Sequence, residues 1–404
     1  MAHVAWLGKK SPFCGNVTYG LSTTEALRQR GHTVSFIHFD TPAAGLGLLE
    51  PGRQDQVRAS IDGEAAGLGP GVCAPDVALP YLVKSQVYTI PSPGALRELR
   101  ESLERLRPDL VHASLTLSPL DFRLPDLCQQ LGLPLVATFH PAFDASLRNL
   151  AAGTQQLTYQ LYAPSLSRYD RVIVFSELQA GVLERLGVRA ERIAVIPNGV
   201  DEQVWRPCAG QPSAEYRELA ARFAGVRLFL YMGRITTEKN VEALLRAWRL
   251  VRPEGCLLVV VGDGPLRGLL QNSAEPDVLW WGIEASLERR VALLQLAEVF
   301  LLPSLVEGLS LALLEAMASG TACVATDAGA DGQVLEGGAG IVIRTQGVTT
   351  QLRTLLPVLR DQPVLTAELG RRARLRVQER YTLRCNIDAL ERLYSEVMHQ
   401  PVAA

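Results

Sequence analysis

The chain has 404 residues, of which 48% are hydrophobic and 20% are charged, and its formal net charge is −2 at pH 7. This length suits two domains with ample apolar core, and the near-zero charge argues against a nucleic-acid-binding protein. No apolar run approaches the roughly 18 residues of a membrane-spanning helix, while binding to a membrane surface is left open. The seven cysteines are scattered, without a Cys-x-x-Cys pair. Together with the lack of a leader segment, this predicts a cytoplasmic protein without structural zinc.

The chain opens with the alternation that is typical of a Rossmann-like domain. An apolar strand, Val4–Leu7, precedes a glycine-containing loop, Gly8–Gly20, which leads to a helix over Leu21–Arg30 and a strand over Val34–Phe39. This order predicts a parallel α/β sheet with helices on its faces. The glycines of the loop are too far apart for the Gly-x-Gly-x-x-Gly dinucleotide fingerprint.

Three less regular segments follow. Residues 41–80 are rich in glycine, proline and alanine and predict a loop-rich insertion with at most one strand. Tyr81–Pro91 mixes aromatic residues with Lys84 and is either an acceptor-facing loop or an edge strand. Leu96–Arg107 is a basic amphipathic helix whose arginines can lie on anionic lipid, but its interspersed glutamates favour a solvated surface helix.

A histidine follows one of the inner strands of this first half. The remaining predicted elements are strands over Asp109–Ala113, Leu135–Phe139, Arg171–Phe175 and Ile193–Ile196 and a helix over Leu157–Leu166. Ligands bind at the carboxyl ends of the strands in such sheets, and His140 comes directly after the second of these strands. A lone histidine is more often structural than catalytic, yet this position makes His140 a candidate for the site.

The second half repeats the plan after a linker over residues 200–212. Its predicted strands are Arg227–Met232, Leu257–Val261, Leu279–Gly282, Val299–Leu302, Ala322–Thr326 and Ala339–Ile343. The turn after the first of them carries Arg234 and Lys239, which can converge on the start of the next helix and favour an anion there. The competing interpretation is a pair of ordinary surface cations.

The segment 307–320, EGLSLALLEAMASG, places two carboxylates around a helix start. Glu307 falls in the loop after an apolar strand, and Glu315 lies on the helix, which Gly320 ends. The backbone N–H groups near Ser310 and Leu311 should be free to bind an anion. Considered alone, the segment can equally be a capped helix with a surface glutamate.

The motif set resembles the donor site of retaining glycosyltransferases of family 4. The Glu-x7-Glu segment is accompanied by GRITTEKN at 233–240, VVVGDGPLR at 259–267 and PNGVD at 197–201. The resemblance covers nearly the whole chain. It implies the α/β GT-B architecture, in which two Rossmann-like, doubly wound parallel-sheet domains face each other across a cleft. The expected domains are 1–200 for the acceptor, with a last helix over 381–404 crossing back to it, and 201–380 for the nucleotide-sugar donor.

The same resemblance implies roles for individual residues. Glu315 would bind the ribose hydroxyls, Glu307 and His140 would face the transferred hexose, and the nucleobase would lie near Ile283. The expected catalytic residues are His140, Glu307, Arg234 and Lys239. The expected donor-binding residues are Gly15, Asn198, Gly233, Arg234, Lys239, Gly262, Ile283, Glu307, Leu309, Ser310, Leu311 and Glu315. No metal or other cofactor is expected, because cations and the helix start would stabilise the leaving diphosphate.

Three positions depart from the common family pattern. Leu309-Ser310 stands where many members have Phe-Gly, Asn240 replaces a frequent glycine, and Cys14-Gly15 stands in place of a Gly-Gly pair. Only Gly15 is therefore carried over from that pair, with Asn16 as a weaker candidate. None of the departures removes a charged group, so activity is expected to survive.

The acceptor is inferred from resemblance alone. The segments GKKSPFCGNVTYG, KSQVYTIP and ASLTLSPLDF resemble the cyanobacterial digalactosyldiacylglycerol synthases of this family. This implies UDP-galactose as the donor and monogalactosyldiacylglycerol at a membrane surface as the acceptor. The alternatives are a soluble sugar or cell-wall precursor as acceptor, an inactive module that binds a nucleotide sugar, or a sugar phosphorylase or epimerase on the same fold.

Overall fold

The computed structural model describes residues 1–11, 14–40, 76–85, 88–142, 150–272 and 275–399. The strands are β1 His3–Gly8, β2 Thr33–Phe39, β3 Val77–Leu79, β4 Tyr81–Lys84, β5 Thr89–Pro91, β6 Leu110–Ser114, β7 Leu135–Thr138, β8 Arg171–Val174, β9 Ile193–Val195, β10 Arg227–Met232, β11 Cys256–Val261, β12 Val278–Gly282, β13 Ala297–Leu302, β14 Ala322–Thr326 and β15 Ile341–Ile343. They form two parallel sheets and one small antiparallel pair, β4–β5.

Helices surround both sheets. They are α1 Gly15–Gln29, α2 Ala95–Leu106, α3 Leu124–Leu131, α4 Leu150–Leu166, α5 Glu177–Arg185, α6 Ala214–Arg222, α7 Val241–Val251, α8 Arg267–Gln271, α9 Leu287–Leu296, α10 Leu311–Ala318, α11 Asp331–Val334, α12 Val348–Asp361, α13 Pro363–Arg380 and α14 Leu383–His399. Several begin where a serine hydroxyl accepts a bond from a backbone N–H in the first turn, as Ser176 does for α5 and Ser286 for α9. The predicted two-domain α/β fold is confirmed.

The strand order places a crevice in each domain. The first sheet runs β3-β2-β1-β6-β7-β8-β9 and the second runs β12-β11-β10-β13-β14-β15. The connections therefore change direction between β1 and β6 and again between β10 and β13. Ligands of doubly wound sheets bind beyond the carboxyl ends of the strands at such a point. Most of the candidate residues follow these strands or their immediate neighbours.

The strands form because their sequences are apolar along almost every position. On β10, Phe229, Leu230 and Tyr231 are at most 1% exposed, and β11 and β13 beside it are buried in the same way. Strands that are covered on both faces need such continuous apolar runs rather than alternation. The central strands of each sheet thus lie in the core of their domain.

Some predicted elements differ from the structure in detail. Helix α1 begins at Gly15 rather than Leu21, because Cys14 with its extended backbone is the N-cap and Gly20 lets the helix approach Trp6. Helix α4 begins at Leu150 rather than at residue 157. The segment 81–91 forms the separate β4–β5 pair. Most of the predicted insertion, residues 41–75, lies outside the described residues, and its end supplies β3.

The chain crosses from one domain to the other twice, near Val200 and near Tyr381, and the two crossing segments are hydrogen-bonded to each other. The N–H of Val200 donates to the carbonyl of Tyr381 at 2.9 Å, and the N–H of Leu383 donates back to Val200 at 2.8 Å. A side chain at Gly199 would lie 2.6 Å from the carbonyl oxygen of Thr382, so only glycine fits.

The last helix packs on the beginning of the chain. Helix α14 contacts α1, and Arg30 at the end of α1 forms an ion pair with Asp388 at 2.7 Å. The helix predicted over 381–404 corresponds to α14, Leu383–His399, which packs on α1, and residues 400–404 lie outside the described part of the chain.

Candidate active site

The second-domain side of the cleft is built around one buried ion pair. Lys239 ends a single helical turn after β10, Glu307 follows β13, and the Lys239 ammonium contacts the Glu307 carboxylate. The hydroxyl of Ser304 donates to the same carboxylate oxygen at 2.8 Å. The side chains of Lys239 and Glu307 are only 16% and 9% exposed. A cation held this way at the domain's crevice is available to a ligand that brings negative charge.

The turn that carries Lys239 depends on an unusual backbone at Asn240. This residue has φ +53°, in the left-handed region that glycine adopts most readily. The Asn240 side chain donates to the carbonyl of Pro303 at 3.2 Å, which ties the turn to the end of β13. The N–H of Leu305 also donates to the carbonyl of Glu238 at 2.7 Å. Asparagine can therefore stand where the family frequently has glycine.

The start of α10 differs from the prediction. The N–H of Ser310 is not free, because it donates to the carboxyl oxygen Oδ1 of Asp331 at 3.0 Å. The Ser310 hydroxyl caps the helix by accepting from Leu313 at 3.3 Å. Within the described residues, the N–H groups of Leu311 and Ala312 have no acceptor. The free N–H groups at this helix start are thus those of Leu311 and Ala312, rather than those of Ser310 and Leu311 as predicted.

Glu315 is buried on α10 without a hydrogen-bond donor for its carboxylate among the described residues. Burial raises the pKa of this carboxyl to about 7, against the opposing effect of the Arg290 charge. An ionised carboxylate accepts hydrogen bonds only, so this one needs donors from outside the protein. A ligand with paired hydroxyl groups would supply them.

Three loops of the second domain pack together through glycines. Gly262 has φ +129°, and a side chain there would lie 1.9 Å from the carbonyl oxygen of Gly233. The N–H of Gly262 donates to the carbonyl of Gly282 at 2.7 Å. The next residue, Ile283, is 73% exposed. The structure therefore brings Gly233, Gly262 and Ile283 to one edge of the domain.

The first-domain side contains neutral polar groups in a chain of hydrogen bonds. The hydroxyl of Ser114, the last residue of β6, lies 2.8 Å from the His140 Nε2 atom and 2.8 Å from the Asn16 side-chain oxygen. The rings of Tyr19 and Phe175 flank the imidazole. Burial lowers the pKa of His140 to about 3, and the charge of the nearby lysine at position 9 adds to the lowering. His140 is therefore a neutral hydrogen-bonding group.

The two sides meet at the loop 307–310. A side chain at Gly308 would lie 3.4 Å from the carbonyl oxygen of His140, so this loop reaches the first domain. The buried Asn198 amide donates to the carbonyl of Leu309 at 3.2 Å, and its own oxygen has no partner in the described part of the chain. His140 and Asn198 consequently belong to one site with the Lys239–Glu307 pair.

Two predicted residues stand apart from this cluster. The Arg234 guanidinium is 42% exposed and pairs with Glu238 at 3.1 Å, so it does not join Lys239 at the ion pair. Gly15 is the first residue of α1, and a side chain there would meet nothing within 4 Å. The weaker candidate Asn16, rather than Gly15, makes the contact with the His140 network.

The sequence analysis missed Asp331 and Ser114. Asp331 looks like an ordinary turn residue at the start of a short helix, and only the fold shows that it reaches Ser310. Ser114 had a signal, since it ends a strand beside the reversal of the sheet order, where ligands bind.

The described residues show neither a metal cluster nor a membrane span. No group of three or more His, Cys, Asp or Glu side chains among them could hold a metal ion. No helix in that part of the chain is long and apolar enough to cross a membrane.

Comparison with known protein families agrees with this architecture. The profile described as Glycosyltransferase Family 4 matches residues 15–204, and that described as Glycosyl transferases group 1 matches residues 226–361. The fold is also that of the Anabaena protein HepE, crystallised with UDP-glucose, with a TM-score of 0.75 and 17% identity over 98% of this chain and 100% of that one. The two crevices thus define a GT-B pair of domains. The chain is therefore similar to glycosyltransferases of the group 1/family 4 type in both of its domains.

Individual relatives match only part of their own length. The chain is 37% identical over 163 residues to the putative glycosyltransferase EpsF of Bacillus subtilis, covering 38% of this chain and 40% of that protein. It is 30% identical over 267 residues to the MMP alpha-(1->4)-mannosyltransferase of Mycolicibacterium hassiacum, covering 62% of each. It is 29% identical over 219 residues to the alpha-monoglucosyldiacylglycerol synthase of Streptococcus pneumoniae, covering 49% and 47%. Each of these three matches covers less than two thirds of the relative.

Proposed function

We propose that the protein transfers a hexose from a UDP-sugar to a membrane glycolipid. The best candidate reaction uses UDP-galactose and monogalactosyldiacylglycerol and gives digalactosyldiacylglycerol. The observation that carries the transfer activity is the buried Lys239–Glu307 pair, which lies at the crevice of the second domain and reaches the first domain through Gly308. An exposed surface pair would not support this proposal, because such pairs form without any ligand to serve.

The donor diphosphate would lie between Lys239 and the start of α10. Negative charge builds on the phosphate oxygens as the glycosidic bond breaks, and fixed cations and N–H groups stabilise it. Lys239 supplies the charge, and the N–H groups of Leu311 and Ala312 supply donors. Transfer is therefore expected to continue in the presence of EDTA, which tests the proposed independence from metal ions.

The nucleoside would lie further along the same domain. Glu315 would accept hydrogen bonds from the two ribose hydroxyls, which satisfy its otherwise unpaired carboxylate. The base would lie at the edge formed by Gly262 and Ile283. Arg234, which is partly exposed, would approach the diphosphate from the solvent side.

The hexose would lie between the two domains. Its hydroxyls would meet the neutral His140 and the Glu307 carboxylate, and Asn198 would hold the loop between them through Leu309. We propose transfer with retention, in which the leaving diphosphate takes the proton of the acceptor hydroxyl on the same face of the sugar. Detection of a covalent glycosyl-enzyme with a slow donor analogue would contradict this route.

A lipid acceptor is supported by the surface of the first domain. The small β4–β5 sheet and the residue before β5 present apolar side chains, and Leu82, Val83, Tyr88 and Ile90 are 39% to 65% exposed. Such apolar side chains suit the interface of a membrane. The S. pneumoniae relative is itself named as a synthase of a glycosyl diacylglycerol. The second candidate is transfer to a soluble sugar or cell-wall precursor, and it is kept because the M. hassiacum relative is not named as a lipid synthase.

The test is a product assay with purified protein. UDP-galactose, UDP-glucose or GDP-mannose would be supplied with detergent-dispersed monogalactosyl lipid or with soluble sugars, and products would be identified by mass spectrometry and anomeric NMR. We expect a digalactosyl lipid from the wild type and none from Glu307→Gln or Lys239→Ala, with Arg246→Ala as an active surface control. Nucleotide release without lipid product would exclude the lipid acceptor. No product and no release with any donor would favour the inactive binding module.

A further inference from the structure

A second carboxyl group lies behind the proposed donor site. The side chain of Asp331 is 0% exposed, and its Oδ1 atom accepts the Ser310 N–H at 3.0 Å. Its Oδ2 atom has no hydrogen-bond partner in the described part of the chain. A buried polar atom without a partner is costly, so the presence of this one calls for a reason.

The turn before Asp331 packs closely against the loop that carries Glu307 and is hydrogen-bonded to it. The N–H of Ala330 donates to the carbonyl of Gly308 at 2.8 Å. Gly329 has φ +56°, and a side chain there would lie 2.2 Å from the carbonyl oxygen of Glu307. Asp331 adds the bond to Ser310 at the other end of the same loop. The loop 307–310 is therefore held at both ends by residues 329–331.

The charge balance decides the form of Asp331. The charged groups that face it are the Glu307 carboxylate and the Lys239 ammonium, and the ammonium already pairs with Glu307. One cation cannot neutralise two buried carboxylates. Burial, followed by the negative charge of Glu307, raises the pKa of Asp331 well above its usual range.

We propose that Asp331 is a positioning residue that works as a neutral carboxylic acid. It holds the Ser310 N–H, and through it the Glu307 loop, without placing a second negative charge beside the donor diphosphate. This role rests on the proposed function, because it concerns the charge that a nucleotide donor would meet. An aspartate that loses its proton there would repel the diphosphate while still accepting from Ser310.

The first test needs no substrate and uses Asp331→Asn and Asp331→Ala. Asparagine is neutral and keeps the acceptor, so hydrogen exchange of the Ser310 N–H should stay slow in Asp331→Asn and become at least tenfold faster in Asp331→Ala. Unchanged exchange in Asp331→Ala would overturn the proposal, because it would mean that Asp331 does not hold the loop.

The stability of the same variants tests the neutral form. A carboxyl whose pKa is raised by folding gives stability that is present at low pH and is lost as the pH rises towards the raised value. The melting temperature of the wild type should therefore fall relative to that of Asp331→Asn as the pH rises above the ordinary aspartate range, from about pH 5 upward. Parallel melting curves over this range would overturn the proposal.

The last test measures donor KM against pH. We expect the donor KM of the wild type to rise several-fold as the pH is raised through the range in which Asp331 loses its proton, which lies well above the ordinary range of an aspartate. The donor KM of Asp331→Asn should stay level, with kcat within threefold of the wild type. Equal impairment of Asp331→Asn and Asp331→Ala would overturn the neutral form. If no donor is turned over while the exchange and melting results hold, the proposed function fails and the assignment of Asp331 as a neutral, loop-holding acid stands.

Discussion

The two sides of the cleft offer different chemistry to a bound molecule. The first domain presents neutral hydrogen-bonding groups, His140 with Ser114 and Asn16, and the pKa of its histidine is lowered to about 3. The second domain presents charges, with Lys239 and Glu307 paired and largely buried. Both sides stand at the reversal of a parallel sheet, so the backbone framework is the same.

This difference indicates what each side can stabilise. A fixed cation in poorly solvated surroundings acts strongly on developing negative charge, which suits the side where we propose that the diphosphate leaves. Neutral donors and acceptors suit the hydroxyl groups of the hexose, which keep their protons during the proposed transfer. Two copies of one architecture can thus divide the work between charge stabilisation and orientation. The following predictions test that division, beginning with the largest expected effect.

Removal of the cation should have the largest effect. Lys239→Met keeps the length of the side chain but leaves Glu307 without its partner and the diphosphate without charge stabilisation. We expect kcat to fall by about 10²–10³-fold, measured as the initial rate of product formation. The control is Arg246→Met, which breaks an exposed ion pair with Glu242. Retention of most of the activity in Lys239→Met would contradict the idea that the second-domain side provides charge stabilisation.

The second-largest effect is expected from a steric clash behind the Glu307 loop, on the second-domain side of the cleft. Gly329→Ala would place a carbon 2.2 Å from the Glu307 carbonyl oxygen at φ +56°, and such backbone strain costs about 1–3 kcal/mol. We expect the free energy of unfolding to fall by at least that amount and activity to fall with it. Gly337→Ala is the matched control, because its φ is +72° and nothing lies within 4 Å of the added carbon. Equal losses in both variants would show that φ alone, rather than the loop contact, matters.

Glu315 should make nucleotide binding depend on pH. Its pKa is raised to about 7 by burial, and only the ionised form accepts bonds from both ribose hydroxyls. The affinity for UDP should therefore rise roughly eightfold from pH 6 to pH 7.5, as measured by calorimetry. Glu315→Gln should bind more weakly and lose this dependence. A dependence that persists in Glu315→Gln would assign the titration to another group.

The neutral side should show the smallest effect and no titration. His140→Ala removes one hydrogen bond to the sugar, which is expected to lower kcat/KM by about fivefold. The pKa of His140 is lowered to about 3, so His140 should not titrate between about pH 5 and 8. The pH–rate profiles of the wild type and His140→Ala should therefore have the same shape over this range. His399→Ala, which changes an exposed residue of α14, serves as the control. A wild-type inflection that His140→Ala abolishes would mean that His140 becomes charged in the complex.

The fold followed closely from the sequence because its strands are continuous apolar runs. The central strands were predicted to within one or two residues, and the strand–helix alternation is sufficient for two parallel sheets. The beginning of α1 was wrong because Gly15 and Gly20 indicate a loop when considered alone. In the structure Gly20 lies inside the helix, where a larger side chain would press on Trp6. A packing requirement between distant residues cannot be inferred from local pattern.

The site was predictable where its residues belong to one segment and obscure where they do not. Lys239 and Glu307 were found from their motifs, but their contact depends on two turns that meet across the sheet. The Ser310 N–H was expected to be free because a helix start leaves its first N–H groups without partners. Asp331 satisfies it from 21 residues away, and no local signal marks that aspartate. Arg234 was predicted to converge with Lys239 because of their spacing alone. In the structure the Arg234 guanidinium pairs with the glutamate at 238 instead.

The two hydrogen-bonded crossing segments at Val200 and Tyr381 affect the order in which the chain folds. The second domain leaves and rejoins the first at almost the same point, so its two ends are already close together and it can fold as a self-contained insert. Helix α14, in contrast, is translated after that domain but packs on α1 at the beginning of the chain. During synthesis the first domain must therefore wait for α14, although most of its sheet emerged long before.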